Sequence, residues 1–188
     1  GALLRSRTLG YFALLGIGFL FVEIAFIQRF RLFLGDPLYA TAVVLAGFLV
    51  FAGLGSWLSR LGSPRLRARL SGAVVAIVIT SLAYLWLLPA LFDALVHWPL
   101  YAKAAVSLLL IAPLAVPMGM PFPLGLAELG TRDPALLPWA WGINGSFSVV
   151  SAVAAPLIAM EWGFSGLILV SVGLYAAVPW VFRGKRTV

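Results

Sequence analysis

The chain has no cysteine and a single histidine, His97. The first absence excludes disulfides, thiolate metal sites and iron–sulfur clusters. The second excludes a haem held between two histidines of this chain. Charge is scarce as well. Only 10% of the 188 residues are charged, where a soluble domain carries about 25%. No Ser/His/acid set, HExxH pattern or phosphate-binding loop occurs. No catalytic constellation and no cofactor are therefore expected, and the chain by itself does not read as an enzyme.

Apolar residues fill the space these absences leave. The sequence is 63% hydrophobic, with a mean hydropathy of +1.08. A membrane-spanning helix needs roughly 20 apolar residues. A chain of this length holds about six, with no room for an additional soluble domain of ~100 residues. The apolar runs are continuous and not alternating, which favours helices over barrel strands. The predicted fold is all-α and integral to the membrane. The spans are expected at about 9–34, 38–58, 70–92, 100–126, 139–160 and 164–182. Gly35-Asp36-Pro37 and Glu161-Trp162-Gly163 read as tight turns. The opening segment has an apolar run too long for a signal peptide.

The net charge of +7 comes from residues that flank these spans. Arg5, Arg7, Arg60, Arg65, Arg67, Arg69, Arg132, Arg183, Lys185 and Arg186 fall on one side. Only Arg29, Arg31 and Lys103 fall on the other. By the positive-inside rule both termini are expected in the cytoplasm. The basic balance then reflects topology, and nucleic acid is excluded as a partner because no recognition motif is present. The expected partners are the lipid bilayer and other membrane protein subunits. Trp57, Trp98, Tyr101, Trp139, Trp141, Trp162 and Trp180 lie near predicted span ends, as an interfacial belt requires. Small residues inside the spans (Gly16, Gly18, Gly47, Gly53, Gly55, Gly142, Gly145, Gly166 and Gly173) read as helix-packing positions.

Three groups of residues could carry chemistry. Glu23 lies roughly 21 Å along the first span at 1.5 Å per residue. A carboxylate at that depth is costly. It marks either a proton or cation site or a buried, hydrogen-bonded structural group. Gln28, Arg29 and Arg31 follow on the same helix. The arginines could pair with Asp36 or Glu161, or extend to lipid headgroups.

The second group is the run Pro113 to Pro123. It holds four prolines and Gly119 and cannot form a regular helix. Unwound backbone survives in a membrane only where it faces protein or water, and transporters build substrate sites there. Pro117, Gly119 and Pro121 are the ligand-site candidates, with a structural kink as the alternative. The third group is Trp139 to Ser146. Asn144 could satisfy carbonyls freed near Pro121, or bind a ligand.

Together these stretches resemble a known family. They are Glu23-Ile-Ala-Phe-Ile-Gln28-Arg29-Phe30, Leu34-Gly35-Asp36-Pro37-Leu38-Tyr39-Ala40, Pro117-Met-Gly-Met-Pro121-Phe-Pro123-Leu-Gly125 and Trp139-Ala-Trp141-Gly-Ile-Asn144-Gly145. They are similar to the membrane region of bacterial spermidine-synthase-like membrane proteins. The resemblance runs from about Tyr11 to Phe164. It implies a multi-pass protein of the bacterial cytoplasmic (inner) membrane. In that family the membrane part accompanies a soluble S-adenosylmethionine-type domain, and the sequence here contains none.

Three functions follow as expectations. The first is a non-catalytic subunit that packs against a larger membrane complex. The second is a transporter-like domain that takes a small cationic or polar substrate at Glu23 and the Pro117–Pro123 break. The third is the membrane half of a spermidine-synthase-like enzyme.

Overall fold

A computed structural model describes residues 2–61 and 65–182. The expected basic residues Arg183, Lys185 and Arg186, and Gly62, Ser63 and Pro64 of the basic loop, lie outside the described residues. No strand forms among the described residues; the elements are α1 (Ala2–Leu34), α2 (Pro37–Leu58), α3 (Leu66–Ala94), α4 (Leu100–Met118), α5 (Pro121–Arg132), a short 3-10 turn at Pro134–Leu136, and α6 (Leu137–Phe182). Five helical stretches are long and apolar enough to cross a membrane: Arg5–Leu34, Pro37–Leu58, Leu66–Ala94, Leu100–Arg132 and Pro134–Val181.

The fifth of these holds both of the last two predicted spans. Gly163 (φ 64°, ψ −167°) interrupts the helix, in a conformation that suits a residue without Cβ. Contacts with α1 show what happens there. The Arg5 guanidinium lies over the Trp139 ring at 5.0 Å. Phe164 meets Phe26 at 6.2 Å between centroids. Val181, at the far end of α6, returns to Gly10. The arm before Gly163 therefore runs alongside α1, and the arm after it runs back.

The other connections follow from local chemistry. Gly35 takes φ 80°. The Asp36 side chain then accepts from the Tyr39 backbone N–H at 2.7 Å, and Pro37 occupies the first helical position, where no donor is needed. At the other end of α2, the Arg69 guanidinium donates to the carbonyls of Leu58 at 2.8 Å and Ser59 at 2.6 Å. A cation at a helix C-terminus is favourable both to the dipole and to the unpaired carbonyls.

α1 is the hub. In its most apolar window 56% is buried, against 28–39% in the other four stretches. Both arms of α6 pack on it, α2 lies beside it, and α4 lies against α2. α3 packs on α6 and α4. The bundle's exterior is apolar: Leu38 is 81% exposed, Trp86 84% and Met160 82%. Water would not tolerate such a surface, and hydrocarbon does. The chain is a helical membrane protein.

The predicted glycine contacts divide. Gly16, Gly18, Gly47 and Gly55 face neighbouring helices as expected. Gly53, Gly142, Gly145 and Gly173 do not: a Cβ at any of them would meet open space. The reason for Gly142 and Gly145 is position. They lie on the outer side of α6, whose inner side is already taken by α1.

Candidate functional site

Against the expectation of an irregular run from Pro113 to Pro123, α4 continues through Pro113 and Pro117, and the fourth apolar stretch is interrupted only at Gly119 and Met120, both with right-handed helical angles, before α5. The break is fixed from α2. A Cβ on Gly119 would strike the Ala52 backbone, and one on Gly55 would strike the Val116 backbone. Two backbones thus touch where only glycine permits it. The freed backbone groups find local partners: the Met120 N–H donates to the Pro117 carbonyl at 3.2 Å. The Tyr11 hydroxyl donates to the Pro121 carbonyl at 2.6 Å. The side-chain bond to the backbone beside the break, one of the two roles considered for Asn144, is thus made by Tyr11. The Asn144 amide instead donates to the Phe12 carbonyl on α1 at 3.1 Å.

Beside the break lies a crevice of about 520 Å³. Its floor is α1, through Leu15, Gly16 and Phe19. One wall is α2, through Leu49, Ala52, Gly53 and Ser56. The break closes one end with Met118, Gly119, Phe122 and Pro123. The far wall is α6, through Trp141, Asn144 and Ser148, with Tyr175 behind. The size lies within the range of ligand pockets, about 300–1,000 Å³. No charged side chain among the described residues lines it. The Ser148 hydroxyl lies 3.5 Å from the Gly16 carbonyl, and Ser171 donates to the Gly18 carbonyl at 2.9 Å, so hydroxyls tie α6 to α1 around the space.

The crevice brings together only part of the predicted site. Gly119 and Asn144 line it; Pro117 and Pro121 are buried next to it and shape the break. Glu23 is one turn beyond Phe19 on the same face of α1 and does not line the space. It is buried (8% exposed) and makes no hydrogen bond or ion pair with the described residues. Its face of α1 carries aromatic rings. Phe19 and Phe26 meet Phe48 of α2 at 5.9 and 5.4 Å, and Phe30 meets Phe92 of α3 at 5.0 Å.

Gln28, Arg29 and Arg31 lie farther on, away from the crevice. Gln28 is half-buried and Arg31 exposed. Neither arginine pairs with Asp36 or Glu161, in contrast to the ion pairs considered from sequence. The Arg29 guanidinium instead sits over the Phe164 ring at 5.8 Å, and its buried Nε has no partner. An aromatic face can hold a cation in place of a carboxylate.

Sequence reasoning missed Tyr11, Ser56 and Ser148. Each is a single polar group in an apolar run. That signal locates a span's polar face only when the neighbouring helix is known. Comparison with known protein families, with curated proteins and with solved structures gives no match for this chain.

Proposed function

We propose that this chain is the ligand-binding membrane domain of a transporter-like protein, with the site in the crevice beside the proline break. One observation carries the reading. A space of ligand size lies where a transmembrane stretch is broken, with Gly119 and Asn144 on its walls. Broken helices with polar groups inside a bilayer are the arrangement by which membrane proteins hold solutes. On this reading the chain crosses a bacterial cytoplasmic membrane six times with both termini in the cytoplasm. The reversal at Gly163 and the basic residues at the Arg5 end support the count and the orientation. The resemblance to spermidine-synthase-like membrane regions supports the bacterial setting.

The absence of native cysteine supplies the test. In a Ser148→Cys variant the introduced thiol is the only one in the chain. The protein is purified from its membrane and weighed intact under native conditions. A bound small molecule that is lost when this thiol is alkylated supports the site. A protein that carries no bound molecule, and whose thiol reacts equally fast with and without membrane extract, overturns it.

A second reading is a non-catalytic subunit of a larger membrane complex. The outward-facing Gly142 and Gly145 favour it, because bare backbone on a lipid-facing helix invites close approach by another helix. Gly142→Leu then releases a partner subunit in mild detergent without unfolding this chain. A chain that migrates alone before and after the substitution argues against this reading.

A further inference from the structure

The crevice also has a mouth, and the mouth faces sideways. α2 and α6 both pack on α1 but make no substantial contact with each other. Leu49 and Gly53 on one rim, and Trp141 on the other, are exposed on the apolar exterior. A molecule can thus enter from the hydrocarbon without crossing the bundle.

The lining is graded along the membrane normal. Ser56 and Asn144 gather toward the end that holds Arg5. Phe19 and Leu49 lie deeper. The Asn144 side-chain oxygen and the Ser56 hydroxyl accept no hydrogen bond from the described residues. They therefore ask for a donor in the ligand. No charged side chain among the described residues lines the space to neutralise an ion, and an unpaired charge there is costly. A lipid of the adjoining leaflet has the same polarity gradient, with its head toward that end and its chain toward the centre.

We infer that the crevice takes a neutral, hydroxyl-bearing amphiphile from one leaflet of the bilayer, entering between α2 and α6. Its hydroxyl donates to Asn144 Oδ1 and meets Ser56, and its chain lies against Phe19 and Leu49. This rests on the reading of the crevice as a ligand site and replaces a cationic substrate with an uncharged one.

The experiment uses the full chain in phosphatidylcholine vesicles with three photoreactive probes of equal chain length: a fatty alcohol, a fatty acid and an alkylamine. Labelled residues are mapped by mass spectrometry. The alcohol is expected to label α2 and the first arm of α6 saturably, with competition by unlabelled fatty alcohol. Asn144→Leu weakens this about fivefold, as loss of one hydrogen bond predicts. Because Asn144 also bonds to Phe12, Gly53→Trp serves as the second variant. It adds bulk at the mouth, where nothing lies within 4 Å, and is expected to abolish crevice labelling without unfolding the chain. Saturable crevice labelling by the amine or the acid in preference to the alcohol leaves a ligand site and overturns the neutral class. Alcohol labelling that persists in Gly53→Trp overturns the sideways entry. Absence of saturable crevice labelling by all three probes overturns the inference, while the thiol test above decides separately whether any ligand binds.

Discussion

The two halves of the bundle are built differently around the same helix. Toward the Arg5 end, α1 meets its neighbours mainly through small residues and polar groups, with one ring contact, Phe12 edge-on to Phe122 at 5.3 Å. Tyr11 reaches Pro121, Asn144 reaches Phe12 and Ser171 reaches Gly18. Backbones touch at Gly119 and Gly55. Toward the Gly163 end, α1 meets them through rings. Phe33 stacks on Phe92 at 4.1 Å between centroids, Phe26 meets Phe48 edge-on at 5.4 Å, and Lys103 sits over Phe33 at 5.3 Å. The first half leaves a crevice, and the second is lined with rings. Directional polar contacts hold helices at set distances even where space remains between them. Rings hold helices by filling the space. A ligand site belongs in the first kind of half, and a rigid anchor in the second.

Substitutions can break this contrast in order of expected effect. Gly119→Leu puts a side chain into the Ala52 backbone and has nowhere to shift. It is expected to abolish the monodisperse folded protein in detergent, as seen by size-exclusion chromatography. Phe26→Ala takes one ring out of the second half. In lipid the solvent-transfer part of a core truncation is small, so mainly the cavity remains, roughly 2 kcal/mol of stability lost in a denaturation titration. A loss under about 0.5 kcal/mol means that the ringed half is not close-packed. Glu23→Leu acts in the opposite direction. It removes a buried group without a partner among the described residues, so a gain of roughly 1 kcal/mol is expected. A gain in stability together with lost ligand binding would assign Glu23 a functional role; a loss of stability would reveal a partner in the folded state. Asn144→Ala loses one interhelical hydrogen bond, about 0.6 kcal/mol on average in a membrane protein. Its effect on bound ligand is expected to exceed its effect on stability, which thermal melts with and without membrane extract compare directly.

What was legible in the sequence divides along the same line. Long apolar runs give the helices, because each run satisfies its own backbone and needs no partner to be recognised. Gly35-Asp36-Pro37 and Gly163 are readable as turns because their backbone chemistry is local. The break at Gly119 is readable for the same reason. The crevice is not. Its walls come from α1, α2, α6 and the break, and no spacing in the chain announces that Leu49 and Trp141 form two sides of one opening. Gly142 and Gly145 show the same gap. Their spacing places them on one face, but only packing decides whether that face looks inward. Glu23 stands out by its chemistry alone, and the aromatic surroundings that isolate it become visible only when α2 and α3 are in place.

The reversal at Gly163 has a consequence in time. α1 is made before the other helices of this bundle, yet the partners of Phe12, Gly16 and Gly18 are Asn144, Ser148, Ser171 and Tyr175, which are made after α2 to α5. Throughout synthesis of α2 to α5, the polar seam of α1 lacks its α6 partners. Something must shield it meanwhile, whether lipid or the insertion machinery. Contacts this distant in sequence close slowly. The hairpin of α6 therefore completes the bundle as one unit, and α1, made before its neighbours, is the last of them to find its place.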